Sequence, residues 1–139
     1  MYAVKEIYDT IQGEGAQAGR PAVFLRFAGC HLWTGREQDR TEAICQFCDT
    51  DFVGTDGPGG GKFATSEALA SHLLGVWNSG SRGGGTPYVI FTGGVPMLQV
   101  VEAFVDDLRH IHIRRCPRRG DDHSRWVHSS STTKTTENT

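Results

Sequence analysis

Three cysteines in the sequence have the residue type and spacing of metal ligands. Cys30, Cys45 and Cys48 form a C-x14-C-x2-C array. An apolar, β-prone segment at 22–27 precedes Cys30, so the first thiol should follow a strand and the other two should return on a loop. Thiolates gathered in this way bind zinc or an iron–sulfur cluster. The sequence therefore predicts a metal site in this loop.

Zinc and an iron–sulfur cluster place different demands on the array. Structural zinc takes four ligands in a closed tetrahedron, and the fourth would be His31 or a distant residue. His31 is poorly placed because it is adjacent to Cys30. A cluster held by three thiolates leaves one iron open to a small molecule, which is an arrangement for reactivity. Three unligated core thiols are a further interpretation, since free cysteine is often buried, but a polar loop is an unusual place for them.

Composition and charge limit the classes of function. The chain has 139 residues, enough for one modest domain, and a formal net charge of −2 that gives no general attraction to nucleic acid. It has no long apolar run and no signal-peptide pattern, so we expect a soluble cytoplasmic protein without a membrane partner. Thiols stay reduced in that compartment and can bind a metal.

Alternating strands and helices must position the thiols. Thr65 or Ser66 can cap a helix, and Pro87 introduces a second buried strand. The β-α-β-α order predicts a parallel sheet with right-handed crossovers, with the cysteine loop and a Thr-Gly-Gly loop at the same edge. Arg26 is a charge near that edge, where ligands bind in α/β folds. The predicted elements are strands at 2–7 (a possible edge strand), 22–27 and 88–91, helices at 66–77 and 97–109, and loops at 8–15 and 54–61.

Taken together, these motifs resemble the 7-carboxy-7-deazaguanine synthases, radical S-adenosylmethionine enzymes of 7-deazapurine (queuosine) biosynthesis. The resemblance runs from about Tyr2 to Leu108. It includes IQGEG at 11–15, RFAGC at 26–30, FCDTDF at 47–52, and TGG followed by PMLQ between 92 and 99. It implies the α/β class and a partial (β/α) barrel of the radical S-adenosylmethionine type, truncated to roughly its first half.

The resemblance implies a cofactor set and a reaction. Cys30, Cys45 and Cys48 would hold a 4Fe–4S cluster whose open iron binds S-adenosyl-L-methionine. Cleavage of that cofactor would give a 5′-deoxyadenosyl radical, which abstracts hydrogen from 6-carboxy-5,6,7,8-tetrahydropterin. Ring contraction with loss of ammonia then gives 7-carboxy-7-deazaguanine, a carbon–nitrogen lyase reaction. No catalytic residue is expected beyond the cluster and the cofactor. The family also implies a homodimer and an electron donor such as flavodoxin.

The resemblance assigns further roles residue by residue. Thr50 would offer an oxygen to Mg²⁺, which prefers hard oxygen ligands. Arg26 could form a bidentate pair with the substrate carboxylate, which would explain a charge on an apolar strand. The expected contacts of S-adenosyl-L-methionine are Phe47, Cys48, Asp49 and Gly94, and those of the pterin substrate are Ile11, Gln12, Gly13, Arg26 and Thr92.

Two departures from the family pattern bear on activity. Val95 stands where the family has the glutamate of a Gly-Gly-Glu-Pro motif, which accepts hydrogen bonds from the amino group of S-adenosyl-L-methionine. Valine cannot accept them, so we expect weak binding of this cofactor. The second half of the family barrel, which normally supplies further contacts, has no counterpart in this sequence.

The third departure is the C-terminal region. We expect residues 1–110 to form the family-like core and residues 111–139 to form a basic, then Ser/Thr-rich, disordered tail. A frameshift near His110 is our hypothesis for its origin, and a basic RNA-binding tail is a rival interpretation. The alternatives to an active enzyme are a non-catalytic iron–sulfur or zinc module and an inactive truncated fragment.

Overall fold

The computed structural model describes residues 1–80, 85–100, 102–108 and 112–115. These residues form a mixed five-stranded sheet with two α-helices. None of the helices in this part of the chain is long and apolar enough to cross a bilayer. The strands are β1 (Tyr2–Ile11), β2 (Pro21–Phe27), β3 (Gly61–Phe63), β4 (Tyr88–Gly93) and β5 (His112–Arg115), the helices are α1 (Ser66–Ser79) and α2 (Glu102–Asp107), and 3-10 turns lie at Gly15–Gln17, Glu37–Glu42 and Pro96–Leu98.

The strand order, β3-β1-β2-β4-β5, confirms part of the predicted topology. β2 pairs with β4, and β4 with β5, in parallel, whereas β1 is antiparallel to both β2 and β3. The expectation that β1 is an edge strand is therefore wrong, because it lies between β2 and β3. The connection from β1 to β2 is too short for a crossover, which forces the antiparallel pairing. The class is mixed α/β, and closure into a barrel stays a prediction.

Local signals predicted α1 better than the elements around it. Thr65 is its N-cap, with the side-chain oxygen accepting a hydrogen bond from the Ala68 N–H. Two segments expected to be entirely loop contain strand: β1 continues from residue 8 to Ile11, and β3 begins at Gly61 and pairs with β1. The helix expected at 97–109 is divided into a 3-10 turn at Pro96–Leu98 and the shorter α2.

β5 lies in the region that was expected to be a disordered tail. Its backbone pairs with β4 in register from Tyr88 with His112 to Phe91 with Arg115. Expected disorder therefore does not hold for these four residues, since the open edge of β4 offers unpaired backbone groups to an added strand. Residues 109–111 and 116–139 lie outside the described residues, and with them the frameshift hypothesis and the expected Ser/Thr-rich tail.

Both helices pack on one face of the sheet. Val23, Leu25 and Phe27 are fully buried on this face. They form one apolar core with Leu69 and Leu73 of α1 and with Phe104 and Leu108 at α2. Phe24 and Arg26 therefore point to the opposite face, where Phe24 packs with Ala22, Tyr88 and Ile90.

The side chain of Gln99 joins three segments of the chain. Its Oε1 accepts a hydrogen bond from the Ala3 N–H at 2.6 Å, and its Nε2 donates to the Ala28 carbonyl at 2.8 Å. Gln99 lies in the turn after β4, Ala3 lies in β1, and Ala28 follows β2. One amide thus holds the turn after β4 against the residues that lead into Cys30.

Replacing Gln99 with leucine should lower the free energy of unfolding by about 1–3 kcal/mol, because two partly buried backbone groups would lose their partners. Urea unfolding of the full chain measures this loss. Gln38→Leu is the matched control, since Gln38 is exposed in the Glu37–Glu42 turn. Equal losses in the two variants would show that the contacts of Gln99 do not stabilise the fold.

Candidate metal centre

The loops after β2 and β4 meet at one edge of the sheet in backbone contact. The Val95 N–H donates a hydrogen bond to the Gly29 carbonyl at 3.2 Å. Gly93 has a φ of +107°, and a Cβ built on it would lie 2.5 Å from the Phe27 carbonyl oxygen. A Cβ on Gly94 would collide with the Gly29 carbonyl and lie 3.0 Å from the Cβ of Cys30. The prediction that the two loops share an edge is confirmed. Only glycine at 93 and 94 lets their backbones come this close.

The three cysteines of the array share one small aromatic cluster. Cys48 is buried against Trp33 and Phe52, and Cys30 and Cys45 are half-buried against the same group. The three residues are present as thiols rather than disulfides. The fold therefore brings the distant Cys30 into the neighbourhood of the C-x2-C pair.

Two backbone contacts hold the loop near Cys30. The Leu32 N–H points at the Cys30 sulfur at 3.4 Å, and the Cys45 N–H donates to the Leu32 carbonyl at 3.2 Å. An N–H directed at a sulfur is an interaction that tunes iron–sulfur clusters. Leu32 thus links the first ligand candidate to the second.

The residues fit an iron–sulfur cluster in donor type and neighbourhood, but their side chains are not arranged as a ligand set. No group of three or more His, Cys, Asp or Glu side chains in the described part of the chain is placed to hold a metal ion. A cavity of about 290 Å³ opens beside Cys30, Trp33 and Asp39, but Cys45 and Cys48 do not line it. Cluster binding would therefore require the loop to draw the three sulfurs together.

The residues expected to contact S-adenosyl-L-methionine and Mg²⁺ lie in both loops, the cysteine loop and the loop after β4. Phe47 is 86% exposed and Asp49 is also exposed, while Thr50 is half-buried. Gly94 is buried beside Cys30. The structure thus places Gly94 against the first cysteine and leaves Phe47 and Asp49 accessible to a ligand; their roles stay predictions.

The residues expected to contact the substrate fall into two separate groups. Arg26 and Thr92 are register partners on β2 and β4, close to the cysteine edge. Ile11 pairs with Pro21 at the other end of β2, and Gln12 and Gly13 follow it. Pro21 lies five positions before Arg26 along β2, about 17 Å at the usual rise. The structure brings Arg26 and Thr92 together but does not bring residues 11–13 to them.

Arg26 already has a carboxylate partner, which the sequence analysis missed. Its Nε donates to the Glu6 carboxylate at 2.7 Å, and both side chains are about one-fifth exposed, at 20% and 23%. Burial opposes the charge of Arg26, but hydrogen bonds to Glu6 and Tyr8 leave its pKa raised above the ordinary value. A substrate carboxylate would have to share Arg26 with Glu6 or displace it.

Lys5 anchors the segment that follows Cys48, a second role that the sequence analysis missed. A register shift between Val4 and Glu6 makes Lys5 the extra residue of a bulge in β1. Its ammonium contacts the Val53 carbonyl at 2.8 Å, Asp56 at 2.8 Å and Asp51 at 3.1 Å. The cysteine loop is therefore tied to β1 immediately beyond its last cysteine.

Curated relatives of this chain share its sequence over the part that contains these features. A 7-carboxy-7-deazaguanine synthase of Burkholderia multivorans is 60% identical over 107 residues, which are 77% of this chain and 50% of the relative. One of Bordetella pertussis is 61% identical over 104 residues, or 75% and 48% of the two chains. One of Nitratidesulfovibrio vulgaris is 57% identical over 111 residues, or 80% and 51%.

Over this part, the chain belongs to the 7-carboxy-7-deazaguanine synthase family. The resemblance stated from the motifs is thereby confirmed. The chain spans about half the length of the curated relatives that it matches. No family model matches it.

The crystal structure of QueE from Escherichia coli has a similar fold. It superposes with a TM-score of 0.55 and 23% identity, and the match covers 82% of this chain and 50% of QueE. At this identity the likeness concerns the fold alone. The open mixed sheet of this 7-carboxy-7-deazaguanine synthase homologue therefore corresponds to about half of a longer structure.

Gly94→Ala should lower the free energy of unfolding by about 1–3 kcal/mol, because the added methyl group overlaps the Gly29 backbone. Gly75→Ala is the matched control, since a Cβ on Gly75 meets nothing within 4 Å in α1. That control should gain up to about 1 kcal/mol from helix propensity. Urea unfolding of both variants checks the signs, and a stabilised Gly94→Ala variant would contradict the close contact.

Lys5→Met should reduce the dependence of stability on acid pH. Hydrogen bonds from Lys5 lower the pKa of Asp51 and of Asp56 below the ordinary value of 3.8. Because these folded-state pKa values are lowered, their stabilisation is complete above 3.8 and is lost as the pH falls through the folded values. The difference in unfolding free energy between native chain and variant should therefore shrink from about pH 6 to about pH 2.5.

Lys62→Met controls for the loss of an exposed lysine, and it should differ from the native chain by the same amount at both pH values. If the difference for Lys5→Met were equally constant, the ion pairs of Lys5 would not be coupled to folding.

Proposed function

We propose that this chain carries the cluster- and cofactor-binding part of a 7-carboxy-7-deazaguanine synthase. The observation that supports this most is the contact between Gly94 and the residues at Cys30, within a sequence about 60% identical to such enzymes. The whole cytoplasmic enzyme would convert 6-carboxy-5,6,7,8-tetrahydropterin to 7-carboxy-7-deazaguanine with loss of ammonia. A flavodoxin-like electron donor and a homodimer belong to the same proposal.

The cysteine loop would hold the cluster and one side of the cofactor. Cys30, Cys45 and Cys48 would bind a 4Fe–4S cluster, which together with S-adenosyl-L-methionine supplies one-electron radical chemistry. Gly94 lies directly beside Cys30, and its backbone would contact the cofactor there. Phe47 and Asp49, which are exposed next to Cys48, would contact the cofactor.

The face of the sheet that carries Arg26 would orient the substrate. Arg26 would pair with the substrate carboxylate and Thr92 would lie beside it, while Glu6 keeps the guanidinium in place. Thr50 would contribute an oxygen to Mg²⁺. The remaining substrate contacts would come from Ile11, Gln12 and Gly13, which lie beside the first residue of β2. This segment would have to move across the face toward Arg26 to reach the same substrate.

A second candidate is a non-catalytic module that binds an iron–sulfur cluster or zinc. One observation favours it: Val95 stands where a glutamate is expected. The two functions differ in whether a small molecule uses an open iron. Metal identity and the response to S-adenosyl-L-methionine therefore separate them.

Anaerobic reconstitution with iron and sulfide, followed by electron paramagnetic resonance of the reduced chain, is the decisive experiment. A 4Fe–4S signal that changes on adding S-adenosyl-L-methionine is the expected result. A cluster indifferent to the cofactor, or preferential zinc binding, would favour the non-catalytic module. Cys45→Ser should abolish the signal, while Cys116→Ser, outside the array, should leave it intact.

Val95→Glu should tighten the binding of S-adenosyl-L-methionine by about tenfold to a hundredfold, because one charge-assisted hydrogen bond is worth roughly 1.5–3 kcal/mol. Titration of the reconstituted chain measures the dissociation constant. Val105→Glu is the matched control, since Val105 is exposed on α2 away from the loop. Equal affinities in both variants would refute a role for a carboxylate at position 95.

A further inference from the structure

Arg40 is the best-connected side chain of the segment between Cys30 and Cys45. It lies in the Glu37–Glu42 turn, and its side chain is 28% exposed. Its partners are a carboxylate, an aromatic ring and two carbonyl groups, one of which belongs to a cysteine of the array. No role in the proposed function depends on it so far.

Two contacts of Arg40 lie directly on the C-x2-C pair. One terminal nitrogen, Nη1, donates to the Gln46 carbonyl at 2.8 Å and to the Cys48 carbonyl at 3.0 Å. These carbonyls lie on either side of Phe47. A single guanidinium therefore determines the path of the backbone from Cys45 to Cys48.

The rest of the side chain is held from the opposite side. Glu37 accepts two parallel hydrogen bonds, from Nε at 2.6 Å and from Nη2 at 2.7 Å. The guanidinium lies 4.2 Å from the centre of the Trp33 ring, and Trp33 packs against Cys48 and Phe52. A paired and stacked arginine loses little further entropy when it binds the carbonyls.

Arg40 also brings a positive charge near two thiols. Its guanidinium donates to the Cys48 carbonyl at 3.0 Å and stacks on Trp33, which packs in one cluster with Cys45 and Cys48. A cation beside thiolate ligands offsets their negative charge, and local charge is one determinant of the reduction potential of a cluster. Arg40 thus affects both the backbone path from Cys45 to Cys48 and the charge around these two thiols.

We propose that Arg40 is a positioning residue that holds the turn from Cys45 to Cys48 in place before a cluster binds and offsets the charge of the bound ligands. The segment between Cys30 and Cys45 is then a functional clamp rather than a spacer. The second part of this inference rests on the proposed function, whereas the first part concerns the metal-free chain and can be tested separately.

Hydrogen–deuterium exchange of the metal-free chain tests the clamp. The Cys45 amide, which donates to the Leu32 carbonyl, reports closure of the loop. Arg40→Met should make this amide exchange about tenfold faster, because two carbonyl contacts are lost. Arg36→Met is the matched control. Arg36 is exposed in the same loop, and the carbonyls of Gln46 and Cys48 are bound by Arg40 instead.

Arg40→Lys separates geometry from charge and serves as a second variant if Arg40→Met does not fold. Lysine keeps the charge but lacks the planar fork, so exchange at Cys45 should still be faster than in the native chain. In reconstituted protein, Arg40→Met should load less iron per chain and shift the cluster potential to more negative values. Arg40→Lys should move the potential less than Arg40→Met does.

The two proposals fail in different ways. A native chain that loads no cluster would overturn the proposed function and the charge role of Arg40, and the exchange result would still decide the clamp. Native exchange at Cys45 in both Arg40 variants would overturn the clamp, whatever the iron content. Equal cluster potentials in the native chain and Arg40→Met would overturn the charge role.

Discussion

The close parallel pairing of β2 with β4 is the constraint on which the rest of this structure depends. Because the two strands run in the same direction, their carboxyl ends meet at one edge, with Phe27 opposite Gly93. Glycine at 93 and 94 lets the loop after β4 touch the backbone that leads into Cys30. A side chain at either position would separate Cys30 from the loop after β4.

Polar contacts from three directions hold the cysteine loop on this edge. Gln99 binds the backbone before Cys30, and Lys5 binds the segment after Cys48. Arg40 binds the turn from Cys45 to Cys48. The apolar contribution within the loop is small, since its aromatic cluster has only Trp33 and Phe52 at its centre. Hydrogen bonds to backbone groups are suited to this task because they specify a path as well as a position.

The face of the sheet opposite the helices carries a group of charged and polar side chains. Arg26, Glu6 and Thr92 lie together there, while the helical face buries the main core. The relatives are about twice as long as the matched part, so further chain is available in them to cover this face. The Glu6 carboxylate is the partner of Arg26 on this face.

The sequence by itself determined the ligand types, the family, the cap of α1 at Thr65 and the opposite faces of Val23 and Arg26. These features are local: they depend on residue type, spacing or a period of two or 3.6 residues. The tertiary structure alone decided that β1 is interior, that Glu6 faces Arg26, and which residues hold the loop. The Gln99–Ala3 contact joins residues 96 positions apart, and the Glu6–Arg26 pair depends on a one-residue bulge at Lys5. Long-range register leaves no periodic signal in a single sequence, because shifting a strand by one residue changes every partner without changing the pattern.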